Sequence, residues 1–98
     1  MNLEEIKRIL SKHKNKLKEK FKVKEIGVFG SYIKAEQKEG SDLDILVVFE
    51  DGARLSLLDV VGLEIELSDL LGVKVDLVEK KDLKPFIKQR ILNEVVYI

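Results

Sequence analysis

The chain has 98 residues, a length that predicts one domain over residues 1–98. Its 18 Lys and Arg residues balance 18 Asp and Glu residues, which argues against a general nucleic-acid binder or a polybasic membrane-surface protein. With no Cys and one His, the chain has no disulfide framework, no thiolate zinc site and no His-rich metal site.

The N-terminal segment predicts an amphipathic helix from Asn2 to about Lys20, because apolar residues recur there at helical spacing. Its outer face is strongly basic, and in a neutral chain we interpret this as a solvated face rather than an RNA site. The segment has no apolar core of the signal-peptide kind, and no apolar run of the chain approaches the ~18 residues of a membrane span. The expected location is the cytoplasm.

Two apolar runs follow and predict buried strands at Glu25–Phe29 and Leu43–Phe49. Between them, Ser31 is expected to cap a short helix from Tyr32 to Gln37, followed by a polar loop to residue 41. A tight connection through this short helix would make the two strands antiparallel.

A second long helix is predicted from Ser56 to Leu71, since Ser56 and Asp59 have capping-box spacing and Gly72 suits a C-terminal cap. We expect its buried stripe to contain Leu57, Val60, Val61, Leu67, Leu70 and Leu71. Further apolar residues widen this stripe beyond one face, which indicates that part of the helix forms an interface.

The C-terminal third predicts a strand at Val73–Val78 and a helix from Asp82 to about Asn93, with Pro85 in its first turn. The apolar tail Val95–Ile98 either adds a short strand or packs against a partner. The resulting order, α-β-α-β-α-β-α, predicts an α/β (α+β two-layer) domain around a small mixed sheet.

Three acidic residues stand where buried strands are normally apolar. Asp42 and Asp44 flank Leu43, and the period of a strand puts both carboxylates on one face, about 6–7 Å apart. If the second and third strands are neighbours, Asp76 completes a triad of hard oxygen ligands that favours Mg²⁺ or Mn²⁺ over zinc. Alternatively, Asp42 is a cap, Asp44 a solvated edge residue and Asp76 an ion-pair partner of a lysine.

Gly30 and Ser31 end the first strand close to these acids. Glycine lets a phosphate approach the backbone, and the amides of the following turn with the Ser31 hydroxyl can hold a triphosphate. A phosphate site beside a carboxylate-bound metal pair is the arrangement that nucleotidyl transfer requires.

Gly30-Ser31, a ten-residue spacer and Asp42-Leu43-Asp44 resemble the signature of the polymerase-β-like nucleotidyltransferases. The strand around Asp76 is similar to the one that carries that superfamily's third carboxylate. Over nearly its whole length the chain resembles the minimal nucleotidyltransferases, the small MntA-like members of the superfamily.

This resemblance implies an antitoxin that transfers AMP from ATP to a tyrosine of a HEPN-domain ribonuclease toxin and also binds that toxin. Asp42 and Asp44 would bind two Mg²⁺ ions, and Asp76 would bind the catalytic ion and help to deprotonate the incoming hydroxyl. Gly30, Ser31 and Lys34 would hold the nucleotide. Lys34-Ala35 stands where many relatives have Arg-Gly, so the charge is kept but not the forked donor geometry.

Two other functions remain open at this point. The chain could neutralise a HEPN partner by contact alone, with little or no chemistry. It could instead modify a small molecule, as aminoglycoside nucleotidyltransferases do, although those usually have an extra helical domain. The apolar tail and the broad stripe are compatible with a homo-oligomer or with a complex with the toxin.

Overall fold

The computed structural model describes residues 1–98, and its elements alternate between helices and strands. In chain order they are α1 (Leu3–Phe21), β1 (Val23–Phe29), a 3₁₀ turn (Gly30–Tyr32), β2 (Leu43–Phe49), α2 (Leu57–Leu71), β3 (Val75–Glu79), a second 3₁₀ turn (Lys80–Asp82), α3 (Pro85–Glu94) and β4 (Val96–Tyr97). None of the helices is both long and apolar enough to span a bilayer.

The four strands form one mixed sheet in the order β3-β2-β1-β4. β1 pairs antiparallel with both β2 and β4, while β2 and β3 are parallel. The expected antiparallel pairing of the first two strands, the contact between the second and third, and the small mixed sheet are all confirmed. The apolar tail adds a strand, which resolves the alternative left open for it.

Apolar residues are buried on both faces of this sheet. On one face, α1 and α2 pack on alternate residues of β2, such as Leu43, Ile45 and Val47. On the other face, Ile91 of α3 packs on Leu46 and Phe29. Because side chains alternate along a strand, Asp44 shares the face of Leu46 and therefore lies on the side covered by α3.

The ends of the two long helices agree closely with the sequence. The Asn2 side chain caps α1, and Ser56 and Asp59 form the expected capping box of α2. Gly72 ends α2 in the left-handed conformation. These helix boundaries are therefore set by local hydrogen bonds of the cap residues and do not depend on tertiary contacts.

The predicted short helix from Tyr32 to Gln37 with a Ser31 cap is wrong. The chain turns two residues earlier, in a 3₁₀ turn at Gly30–Tyr32, because Gly30 adopts a φ of +80° that starts the turn directly after β1. The amides of Ile33 and Lys34 both donate to the Gly30 carbonyl, and Ala35 then leaves the helical region at φ +55°. No helix can continue past that point.

The predicted buried stripe of α2 is wrong in part. The helix buries Leu63, Leu67 and Leu71, whereas Leu57 is 78% and Val61 is 42% exposed. This helix has apolar residues on several of its faces, so the spacing of apolar residues alone did not decide which face would pack on the sheet. The predicted start of α3 at Asp82 is also early, because the residue before Pro85 is held extended.

β4 approaches β1 closely at Gly27. A β-carbon at this position would lie 2.6 Å from Cγ2 of Val95 and 3.2 Å from the carbonyl oxygen of Val96. Gly27 is paired with Tyr97 and Val28 with Val96. The missing side chain at position 27 is therefore what allows the C-terminal strand to lie against the sheet.

Candidate active site

Two of the three predicted acidic residues, Asp44 and Asp76, meet at one end of the sheet. β1 ends beside the beginning of β2, where Phe29 pairs with Asp44. β3 begins at the same edge, where Asp44 is in direct register with Asp76. Neighbouring strands are about 4.8 Å apart, and residues in register point to the same face, so these two carboxylates are adjacent.

Gly30 brings the turn after β1 into contact with Asp44. A β-carbon at position 30 would overlap Oδ2 of Asp44 and lie 3.1 Å from its carboxyl carbon. The φ of +80° at the same residue is also one that glycine adopts without strain. The Gly-Ser pair and the Asp-x-Asp pair therefore lie next to each other, as they must if both belong to one site.

Asp42 lies beside these residues, and its carboxylate contacts Lys74. It precedes β2 by one residue, and its Oδ2 is 4.0 Å from the Lys74 ammonium. No three acidic or imidazole side chains converge on one point as metal ligands do. Asp44 and Asp76 are thus brought together as predicted, whereas Asp42 would have to rotate from Lys74 to join them.

The electrostatics of the site are dominated by negative charge. Burial raises the pKa of the Asp44 carboxyl above its ordinary value of 3.8, and the charges of Asp76, Asp42 and Glu94 raise it further. A cation would relieve this repulsion. The donor set contains only carboxylates, so Asp42, Asp44 and Asp76 suit a hard ion such as Mg²⁺ rather than zinc.

The other predicted nucleotide-binding residues surround the same turn. Ser31 is the second residue of the 3₁₀ turn, and Lys34 follows two residues after Tyr32, which is buried as a packing residue. The Lys34 ammonium extends toward α3, 3.4 Å from Oε2 of Glu94. Three predicted residues, Gly30, Ser31 and Lys34, therefore belong to one short segment at the edge of the acidic cluster.

Glu94 is the site residue that the sequence analysis missed. It ends α3, and its side chain is only 19% exposed although it is charged. A hint was present in its position among Ile91, Leu92 and Val95, where a charge is unusual. Its proximity to Asp44 depends on how β4 returns to β1, which no local pattern reveals.

Two open clefts lie at opposite ends of the sheet. One, of about 500 Å³, lies between the loop that contains Gln37 and Ser41 and the segment that contains Lys74. The other, of about 350 Å³, is bordered by Glu50, Glu79 and Lys81, at the far ends of β2 and β3. Neither cleft is lined by Asp42, Asp44 or Asp76, so the carboxylates stand at an open end of the sheet and not inside a cavity.

Comparison with known proteins agrees with this geometry. Residues 10–98 match the family model described as "Nucleotidyltransferase domain". The protein adenylyltransferase MntA of Thermococcus cleftensis is 54% identical over 98 residues, covering 100% of this chain and 97% of the relative.

Solved structures share the fold. A structure provisionally described as a minimal nucleotidyltransferase matches with a TM-score of 0.74 and 36% identity over 98% of this chain and 95% of the other. A toxin-antitoxin structure with AMP-PNP matches with a TM-score of 0.71 and 26% identity, over 89% of this chain and 69% of the other. The α+β fold with three helices and a four-stranded mixed sheet is thus shared with these proteins.

Proposed function

Because this chain belongs to the nucleotidyltransferase domain family, we propose that it transfers AMP from ATP to a protein acceptor. The acceptor in this proposal is a tyrosine hydroxyl of a HEPN-domain toxin, and the chain acts as the antitoxin in the cytoplasm. A relative 54% identical over the whole chain is named a protein adenylyltransferase. A neighbour of the same fold forms a toxin-antitoxin structure with AMP-PNP, an ATP analogue.

One observation supports the chemistry most directly. Asp44 and Asp76 are in register on adjacent parallel strands, and the Gly30 backbone lies against the Asp44 carboxylate. Phosphates that approach the Gly30 turn would therefore be next to both acids. A structural role alone does not explain this pair, since burial and the neighbouring charge of Asp76 make the charged form of Asp44 unfavourable.

In the proposed reaction the acceptor hydroxyl oxygen forms a bond to the α-phosphorus of ATP. The bond from that phosphorus to the bridging oxygen breaks, and pyrophosphate leaves. Gly30 and Ser31 hold the triphosphate, and Asp76 accepts the hydroxyl proton. Mg²⁺, expected as two ions with Mn²⁺ as the alternative, would be held by Asp42, Asp44 and Asp76 and would neutralise charge on the attacking and leaving oxygens.

Intact-protein mass spectrometry tests this proposal. The chain would be incubated with ATP, Mg²⁺ and the HEPN protein encoded beside its gene. We expect the partner to gain the mass of one or more AMP units, and peptide mapping to place them on tyrosine. The variant with Asp42→Asn and Asp44→Asn should give no gain. Transfer by this variant at the unaltered rate would contradict the proposed site.

A second candidate is an antitoxin that neutralises its partner by contact alone. It is favoured by the direction of Asp42, which faces Lys74 and leaves the three carboxylates unassembled. The strained φ of +55° at Ala35 also directly follows Lys34, three residues beyond the turn that would hold phosphates. Under this alternative, the Asp42→Asn, Asp44→Asn variant still protects cells that produce the toxin. Transfer to free aminoglycosides without any protein partner would instead support a small-molecule acceptor.

A further inference from the structure

An ion pair connects α3 to the edge of the candidate active site. Nζ of Lys34 lies 3.4 Å from Oε2 of Glu94. The two side chains differ in exposure, since that of Glu94 is 19% exposed and that of Lys34 is 52% exposed. Glu94 is thus held by its surroundings, while about half of the lysine side chain is accessible to solvent.

Both partners are attached to the turn that carries Gly30. The Lys34 amide donates to the Gly30 carbonyl at 3.3 Å, so the backbone of the lysine belongs to the same hydrogen-bonded turn. Glu94 is followed by β4, whose Val96 pairs with Val28, two residues before Gly30. The antiparallel pairing therefore brings the end of α3 level with the turn, and the ion pair joins them.

The location of Glu94 is electrostatically unfavourable by itself. It adds a fourth negative charge to the neighbourhood of Asp44, Asp42 and Asp76. Such a charge costs free energy unless a cation compensates it. Lys34 is the cation in contact with Glu94, so the two residues are best understood as one unit.

We propose that Glu94 is a positioning residue that holds the Lys34 ammonium at the mouth of the active site, where it meets the phosphates of the nucleotide. This inference rests on the proposed function. The ammonium has three donors, and the contact with Glu94 leaves others for phosphate oxygens. A lysine that is already fixed loses less conformational freedom when the nucleotide binds, which corresponds to about three- to tenfold in affinity.

The two ways in which Glu94 could act predict opposite results. If it acts only as a negative charge, its removal weakens repulsion and a triphosphate binds more tightly. If it acts through Lys34, its removal releases the lysine and binding becomes weaker. A double-mutant cycle separates these effects, because the second disappears when Lys34 is absent.

The measurement is the dissociation constant of AMP-PNP by titration calorimetry in the presence of Mg²⁺. Four proteins are compared: the unaltered chain, Glu94→Gln, Lys34→Met and the double variant. We expect Glu94→Gln to weaken binding about three- to tenfold, and to cause no weakening in the Lys34→Met background. The inference would be overturned if Glu94→Gln weakened AMP-PNP binding equally in the unaltered chain and in the Lys34→Met variant. It would also be overturned if the single Glu94→Gln variant bound AMP-PNP more tightly than the unaltered chain.

A matched ion pair serves as the control. Glu79 and Lys81 are 3.8 Å apart, with exposures of 21% and 76%, at the opposite end of β3 from Asp76. Glu79→Gln should leave the dissociation constant unchanged. A loss equal to that of Glu94→Gln would show a general effect of surface charge and would also overturn the inference.

Folding and the proposed function are tested separately. If Glu94→Gln does not fold, Lys34→Met and Lys34→Arg replace it, and equal binding by Lys34→Met and the unaltered chain contradicts the inference. Should the unaltered chain bind no AMP-PNP, both the proposed function and this inference fail. Binding by the unaltered chain together with unchanged binding by Glu94→Gln removes the inference alone.

Discussion

At the scale of the residue, Gly30 is under two separate constraints. Its φ is +80°, and a β-carbon would overlap the Asp44 carboxylate. Gly52 has a similar φ of +77° but no atom within 4 Å of its would-be β-carbon. This pair of glycines separates the cost of backbone conformation from the effect of the contact with Asp44.

We predict that Gly52→Ala lowers the free energy of unfolding by about 1 kcal/mol through its left-handed conformation. Gly30→Ala should lower it by more, because its methyl group also overlaps the Asp44 carboxylate. Only Gly30→Ala should also reduce AMP transfer, by about 100-fold or more, because it displaces Asp44. Chemical denaturation and a transfer assay test the two effects. Equal activity of the two variants would show that the contact with Asp44 is not needed.

The candidate site residues were largely recognisable from their spacing, and the structure brings Asp44, Asp76 and Gly30 together. Asp42, Asp44 and Asp76 are acids inside apolar runs, and such exceptions are visible in a sequence. Glu94 was not found, because it becomes part of the site only when the pairing of β4 with β1 brings the end of α3 to Gly30. The direction of Asp42 toward Lys74 likewise depends on a contact between residues distant in the chain.

At the scale of the element, caps and strands were predictable whereas the packed face of α2 was not. Ser56, Asp59 and Gly72 fix the ends of that helix through local hydrogen bonds. Which face is buried depends on where β2 and β3 lie beneath it. The sequence offers apolar residues on several faces, so the choice of Leu63 over Leu57 is made by tertiary packing.

β4 supplies the prediction at this scale. Gly27→Ala should lower the free energy of unfolding by about 1–3 kcal/mol, because the new methyl group would overlap Val95 and displace β4. It should also weaken nucleotide binding, since Glu94 adjoins this strand. Gly62→Ala is the control: it lies within α2, where a β-carbon would be 3.6 Å from Phe21, and it should stabilise the helix by about 0.5–1 kcal/mol. Thermal melting measures both changes, and a neutral Gly27→Ala would contradict the packing of β4.

At the scale of the whole molecule, the acidic cluster opposes folding. The pKa of Asp44 is raised in the folded chain by burial and by its neighbours Asp76, Asp42 and Glu94. The unfolded chain therefore loses this proton at lower pH than the folded chain does. The contribution of Asp44 to stability therefore declines as pH rises from the ordinary value of 3.8 through the raised pKa.

Thermal melts between about pH 4 and pH 8, with a chelator present, test this sign. We predict that Asp44→Asn melts at a higher temperature than the unaltered chain at neutral pH and that its stability falls less with pH. The same substitution should lower the rate of AMP transfer by about a thousandfold or more, because a ligand of the proposed ions is lost. A lower melting temperature for Asp44→Asn at neutral pH would contradict the repulsion inferred for the cluster.

The close approach of β4 at Gly27 also makes one position informative about other members of the family. A relative that keeps the Gly-Ser and Asp-x-Asp residues but has a valine or leucine aligned with Gly27 cannot place its C-terminal strand here without shifting it. Its counterpart of Glu94 would then lie elsewhere. Reading that single column of an alignment should therefore divide the family into chains whose C-terminus borders the active site and chains whose C-terminus does not.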